Sequence, residues 1–154
     1  MTTRVALAEG DPELALASLP PEGEPALRAE VARGLVDRPG AAKKVPALVE
    51  TVLFENSDGN TLAVAGNAAL AVGDRALAER LYNRALEMAT DDPTVRSAAS
   101  IGLARAQLAR GDRTGAARAL VAAAEKADSL IQRATLGAAR SLGVHTEEEA
   151  ADVR

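Results

Sequence analysis

The chain contains no cysteine, one histidine and only two aromatic residues, Phe54 and Tyr82. Without cysteine it has no disulfide, no thiolate metal site and no cysteine nucleophile, which favours a reducing compartment, and we expect a cytoplasmic location. Because so few aromatic side chains are available, the core has to be built from alanine, leucine and valine. Such small side chains predict closely spaced helices.

The chain also lacks long apolar runs and an excess of positive charge. No stretch approaches the roughly 20 apolar residues that span a bilayer. The apolar segment after Met1 ends at Glu9, so a signal peptide is not expected either. The net charge is −4 and the pI is near 5.1, whereas phosphate binding depends on excess lysine and arginine. We therefore expect neither nucleic acid nor a membrane as a partner.

No set of residues predicts a catalytic or metal site. His145 lies in a predicted turn, and no serine motif surrounds it. The acidic groups Asp91-Asp92 and Glu147–Glu149 are explained by the preference for negative charge at helix starts. The segment 56–59 resembles a calcium loop only superficially, because Phe54 stands where the first acidic ligand belongs. We expect a protein that is not an enzyme and that holds no cofactor or metal.

What the chain does contain is a recurring glycine. The spacings are 30, 33, 38 and 32 residues, and three of the glycines precede an aspartate; they are Gly10, Gly40, Gly73, Gly111 and Gly143. A period near 34 residues is typical of a solenoid built from helical hairpins. One hairpin cannot bury its own apolar face, so it stacks on copies of itself.

Apolar residues at helical spacing fill the intervals between these glycines. In residues 61–90 one apolar stripe ends at Gly73 and a second begins after Asp74, which predicts two antiparallel helices. The same pattern restarts at Asp92-Pro93 and again at Ser129. No segment alternates in the manner of a strand. The predicted fold is all-α, a right-handed superhelix of antiparallel helix hairpins.

We expect one helical-repeat domain over residues 1–154. Its predicted parts are degenerate N-terminal repeats in 1–59, the best-defined repeats in 60–90 and 92–128, and a last repeat with a polar cap in 129–154. Within the N-terminal part, Pro46 is expected in the first turns of its helix.

Further glycines fall inside predicted helices, where each costs about 1 kcal/mol relative to alanine. We expect close helix contacts to explain them; they are Gly34, Gly66, Gly102 and Gly137. Tyr82 is expected in the core with its hydroxyl reaching the surface.

Two consecutive units resemble the tetratricopeptide repeat. The first resemblance is carried by the segment from Gly66-Asn67 to Gly73-Asp74 followed by Ala78, Tyr82 and Ala85-Leu86. The second is carried by Leu103-Ala104, Gly111-Asp112, Ala116 and Ala123. Three helix starts, at Glu24, Asp92 and Asp128, are similar to HEAT repeats instead. Both families are α-solenoids, and the resemblance implies an adaptor that binds a protein or peptide on its concave face.

If the tetratricopeptide resemblance holds, the first helix of each hairpin lines that concave face. The partner-binding residues it implies are Asn60, Asn67, Arg105, Arg133 and Arg140. Arg133 and Arg140 are two turns apart on one helix, so their guanidinium groups could bind a carboxylate. Residues 61–142 hold 11 basic and 8 acidic residues, a net charge of +3 between acidic flanks. An acidic peptide would suit such a surface.

Other interpretations remain open at this point. Surface arginines are commonly solvated or paired with nearby acids. The open ends of a short solenoid can also stack, which would make the chain a self-associating scaffold subunit and a homo-oligomer. A HEAT-like solenoid acting in an enzyme or nucleic-acid complex is disfavoured by the lack of basic excess and of aromatic residues that stack on bases.

Overall fold

The structure, a computed structural model, describes residues 2–22, 24–89 and 91–145, and regular structure in these ranges is helical throughout. A short 3₁₀ helix, Ala42–Lys44, precedes the fourth α-helix. The α-helices are α1 (Thr3–Ala8), α2 (Pro12–Ala17), α3 (Pro25–Leu35), α4 (Val45–Phe54), α5 (Gly59–Ala71), α6 (Arg75–Met88), α7 (Pro93–Ala109), α8 (Arg113–Glu125) and α9 (Ser129–Ser141). The all-α prediction is confirmed. The predicted polar cap beyond residue 145 lies outside the described residues.

Contacts between helices follow the order of the chain. Each helix packs against the next one, and each odd-numbered helix also packs against the next odd-numbered helix. The helices α1, α3, α5, α7 and α9 therefore form a continuous row, which we call the odd row. Successive hairpins stack on one another, so that each covers apolar surface left by its predecessor.

The odd row has a uniform way of ending its helices. Four of its helices close at a glycine with a positive φ between 69° and 87°, which are Gly10, Gly73, Gly111 and Gly143. The residue after each glycine donates its amide to the carbonyl five residues earlier, as from Asp74 to Ala69 at 2.9 Å. This is the Schellman closure of a helix. Gly40 differs, because it lies in the turn after α3 without a positive φ.

Aspartates then start the following helices. Asp74 accepts a hydrogen bond from the Leu77 amide at 3.1 Å, and Asp11 and Asp112 cap α2 and α8 in the same way. Further aspartate caps open odd-row helices, namely Asp58 for α5, Asp92 for α7 and Asp128 for α9. All helix starts in residues 58–129 thus share one signal, an aspartate N-cap.

The N-terminal part departs from this pattern. Glu24, at the start of α3, has a left-handed φ of 54° and gives no side-chain cap. The buried Arg28 joins the segments there instead, since it donates to the Pro21 carbonyl at 2.8 Å and pairs with Glu55. Pro46 does lie in the first turn of α4, as predicted.

The core consists of alanine, leucine and valine around one fully buried tyrosine, Tyr82. At equivalent positions of their helix–helix contacts, the hairpins α5/α6 and α7/α8 have different pairs of residues. Gly66 and Tyr82 in the first correspond to Ala104 and Leu120 in the second, each 38 residues further along the chain. A smaller residue on one helix matches a larger one on the other, so the packed volume is conserved. Helix α7 has 17 residues against 13 in α5, which explains the long interval between Gly73 and Gly111.

The glycines inside helices mostly sit at close contacts. A Cβ on Gly66 would lie 2.7 Å from Tyr82 Cε1, and a Cβ on Gly102 would lie 2.3 Å from the same atom. A Cβ on Gly34 would lie 2.8 Å from Pro12. The predicted packing reason is confirmed at these three positions. It is wrong for Gly137, where a Cβ would meet no described atom within 4 Å.

Candidate functional site on the odd row

The odd row has a common register of exposed side chains. Counting back from the closing glycine, the sixth residue is Asn67 in α5 and Arg105 in α7, and both are exposed. The same position is Arg4 in α1 and Gly137 in α9, which are exposed as well. Equivalent positions on adjacent parallel helices lie side by side. The line of exposed side chains therefore spans α5 and α7, since Gly137 supplies no side chain in α9 and α3 has no closing glycine that would define the register.

The hydroxyl of Tyr82 bonds to Asn67 and interacts electrostatically with Arg105. This hydroxyl donates a hydrogen bond to Asn67 Oδ1 at 2.7 Å. Burial raises the pKa of Tyr82, and the positive charge of Arg105 lowers the same pKa by a smaller amount, so the guanidinium lies within electrostatic reach of the phenol. A polar group of α6 therefore reaches through the odd row to the line of exposed side chains.

Asn60 extends this line along α5. It is exposed and lies seven residues before Asn67, so two helical turns separate the two amides on one side of the helix. Between them, Val64 is half-buried. Three of the predicted residues, Asn60, Asn67 and Arg105, accordingly belong to one surface.

Arg133 and Arg140 are exposed on α9 but occupy a different register. They are the tenth and third residues before Gly143. In α5 and α7 these positions carry apolar residues that are buried or half-buried against the core, namely Ala63, Leu70, Ile101 and Leu108. The two arginines therefore lie at the end of the row, beside the line that contains Asn67 and Arg105.

The charge of the row is one-sided from α5 to α9. The odd-row helices α5, α7 and α9 contain no aspartate or glutamate, and α7 and α9 each contain two arginines. Arg96 donates to the Ala89 carbonyl at 3.0 Å, whereas Arg105, Arg133 and Arg140 form no ion pair with any described residue. Helix α6 contrasts with this, because Arg84 there pairs with Glu87 at 2.8 Å. Arg105, Arg133 and Arg140 thus carry positive charge that no described carboxylate balances, and Arg133 also donates from Nε to the Ser129 carbonyl at 3.1 Å.

The N-terminal part of the row carries mixed and paired charges. Arg4 bonds to Glu24 at 3.0 Å, and Arg33 bonds to Glu30 at 2.5 Å. A groove of about 410 Å³ opens between α1, α3 and the start of α5, with Leu27 among its lining residues. This part of the row therefore contains a groove. The three predicted arginines, which form no ion pair with a described residue, lie further along the chain on α7 and α9.

Two surface residues were not anticipated from the sequence. Phe54 has 74% of its surface exposed, with the Arg80 guanidinium 5.9 Å from the centre of its ring. Phe54 lies on the side of α4 opposite the buried residues Val45 and Val49, so its exposure agrees with the helical spacing. Arg4 belongs to the register of Asn67 and Arg105, and counting back from Gly10 would have found it.

Other kinds of site are not evident in the part of the chain that the structure describes. Within residues 2–22, 24–89 and 91–145, histidine and the acidic residues form no group that could hold a metal ion. His145 is exposed. In those ranges no helix has the length and apolar character needed to cross a bilayer.

Comparison with known proteins adds no relative. No protein family model, curated protein or solved structure matches the chain. In the described residues, fold and site define an all-α protein of stacked helical hairpins with exposed arginines on α7 and α9.

Proposed function

We propose that the chain is a non-enzymatic interaction module that binds a segment of another protein along the odd row. One observation carries the proposal: Asn67 and Arg105 are exposed at equivalent positions of the adjacent helices α5 and α7, which contain no acidic residue. Stacked helical hairpins commonly use such extended surfaces for binding. Asn60, Arg133 and Arg140 extend the proposed site along α5 and onto α9.

An acidic, extended segment is the partner that this surface suits. Neighbouring helices are about 8–10 Å apart, so the distance from α5 to α9 is roughly 20 Å. An extended chain covers about 3.3 Å per residue, so about six residues would cross these helices. A carboxylate on the segment would gain charge-assisted hydrogen bonds from Arg105, with Asn67 as a neutral donor beside it.

The tetratricopeptide type remains our preferred family assignment over HEAT. It is supported by the repeated glycine-aspartate closures and by the small residues around Tyr82, which include Gly66, Ala78 and Ala85. We also propose a cytoplasmic location, on the basis of the cysteine-free composition.

The test is capture of peptides from a phage-displayed random decapeptide library. We expect the wild-type chain to enrich acidic peptides, and Arg105→Glu with Arg133→Glu to abolish their binding. Arg118→Glu is the matched control, because Arg118 is exposed on α8, away from the odd row. Far-UV circular dichroism checks that each variant keeps its helical content. Equal binding by the double variant and the control would refute the assignment of the site.

Self-association is the second candidate, and the surface of α9 favours it. Leu130 has 71% of its surface exposed, and Ala134 and Gly137 beside it are exposed too. Such an apolar end could pack against another copy of the chain. Light scattering across a range of concentrations distinguishes the candidates, because a monomer at every concentration would rule out self-association.

A further inference from the structure

The ring of Tyr82 is fixed between two helices of the odd row. It enters from α6, is completely buried, and touches the backbone of α5 at Gly66 and of α7 at Gly102. A Cβ on Gly102 would lie 2.8 Å from the Tyr82 hydroxyl oxygen itself. With backbone on both sides, the ring cannot shift sideways, so the position of the hydroxyl is set by helix packing.

The hydroxyl has a single proton, and this proton is committed to Asn67. The bond to Asn67 Oδ1 is 2.7 Å long, a normal length for a hydroxyl donor. Burial raises the pKa of Tyr82, so the phenol stays protonated at neutral pH and remains a donor.

This bond determines which atoms Asn67 can offer to a ligand. A side-chain amide has an accepting oxygen and a nitrogen with two donor hydrogens, and a flip of the group would exchange them. With Oδ1 held by Tyr82, the nitrogen is left to face away from the hydroxyl. Its hydrogens are donated to no other described residue. Arg105 beside it carries only donors as well.

We propose that Tyr82 is a positioning residue, which holds the Asn67 amide with its nitrogen outward so that Asn67 and Arg105 form a donor-only pair. This inference rests on the proposed function. The pair selects oxygen acceptors on the bound segment, either a carboxylate or a main-chain carbonyl, and rejects groups that must donate. The selectivity originates from a residue that does not touch the ligand.

Tyr82→Phe tests this directly, since it keeps the ring between the two glycines and removes only the hydroxyl. Without the hydroxyl the Asn67 amide is free to rotate and flip. We expect nitrogen-15 relaxation to detect an ordered Asn67 side-chain amide in the wild-type chain and a mobile one in Tyr82→Phe. This measurement requires no ligand. An amide equally ordered in both proteins would overturn the inference.

Binding measurements complete the test with peptides enriched from the decapeptide library and with copies in which each carboxylate is replaced by a carboxamide. Loss of one oriented hydrogen bond to an acceptor predicts about five- to tenfold weaker binding of the carboxylate peptide by Tyr82→Phe. We expect the preference for carboxylate over carboxamide to fall by a similar factor. Where only main-chain carbonyls are recognised, the carboxamide copies bind equally well to the wild-type chain, while Tyr82→Phe still binds more weakly.

The double variant Tyr82→Phe with Asn67→Ala identifies the route of the effect. If Tyr82 acts through Asn67, the tyrosine substitution has no further effect once Asn67 is alanine. Additive losses would overturn the positioning role. If no peptide binds the wild-type chain, the proposed function fails, and the relaxation measurement alone decides whether Tyr82 orients Asn67.

Discussion

Replacing Gly102 by alanine should destabilise the chain, although the same change in an open helix is stabilising. Glycine inside a helix costs about 1 kcal/mol relative to alanine, so relief of this cost favours the variant. The added Cβ, however, would lie 2.3 Å from Cε1 and 2.4 Å from Cζ of Tyr82. Carbon atoms in contact are about 3.5–4.0 Å apart, so the ring or the helix would have to move by more than about 1 Å.

The magnitude follows from what holds the ring in place. Gly66 blocks movement toward α5, and a rotation about χ1 would move the hydroxyl away from Asn67 and break the hydrogen bond. Overpacking of a tight core costs about 1–3 kcal/mol. The lost hydrogen bond adds roughly 1 kcal/mol. After the gain in helix propensity of about 1 kcal/mol is subtracted, the free energy of unfolding should fall by roughly 1–3 kcal/mol.

Urea unfolding followed by circular dichroism at 222 nm measures this change. Gly137→Ala is the matched control, because a Cβ at Gly137 would meet no described atom within 4 Å, and it should stabilise by up to about 1 kcal/mol. A second check repeats Gly102→Ala in a Tyr82→Leu background, which imitates the residue at the equivalent place in α8, Leu120. The cost of Gly102→Ala should disappear there. If Gly102→Ala stabilises the wild-type chain as much as the control does, the packing described around Tyr82 is incorrect.

Three further predictions concern stability. Burial raises the pKa of Tyr82 above its value in the unfolded chain, so the neutral phenol stabilises the fold fully below about pH 10 and less as the pH rises further. In urea unfolding, the free energy of unfolding should fall by up to about 1.4 kcal/mol per pH unit above that point, and Tyr82→Phe should not show this fall. Asp112→Ala should lower the free energy of unfolding by about 1 kcal/mol, because it removes the 2.8 Å hydrogen bond from the Gly115 amide. Asp112→Asn should retain most of this cap, and equal losses for the two variants in thermal unfolding would contradict the prediction. Thr135→Val should lower the free energy of unfolding by roughly 1–3 kcal/mol, because the buried Ser97 hydroxyl, 2.6 Å from that of Thr135, loses its partner. Adding Ser97→Ala removes the unpaired hydroxyl and should recover much of that loss in thermal unfolding.

The fold of residues 58–129 could be predicted because every helix there has a start signal of its own and the odd-row helices α5 and α7 also have a stop signal. Aspartates mark the starts and glycines mark the ends of the odd-row helices, so the boundaries needed no tertiary information. Gly40 shares the spacing but lacks the conformation, since spacing does not determine φ. Upstream, α3 depends on long-range bonds from Arg28, which no local pattern reveals.

The candidate site was less predictable, because it depends on which side of a helix faces solvent. Arg133 and Arg140 share one side of α9, as their spacing indicates. The equivalent positions of α7 are Ile101 and Leu108, which pack against the core, and this comparison is needed to see that the arginines lie at the end of the row. The hydrogen bond between Tyr82 and Asn67 joins a side chain of α6 directly to one of α5. It could not be read from periodicity, which reports burial but not the partner of a polar atom.

The placement of Tyr82 also supplies an intrinsic optical probe. The chain has no tryptophan and no other tyrosine, so its tyrosine emission and the tyrosine band of its near-ultraviolet circular dichroism come from this one ring, while Phe54 contributes only weak bands at shorter wavelength. The ring is in contact with two successive hairpins. A spectroscopist could therefore follow the docking of α7 onto α5 without a label, and distinguish it from the melting of individual helices recorded in the far ultraviolet.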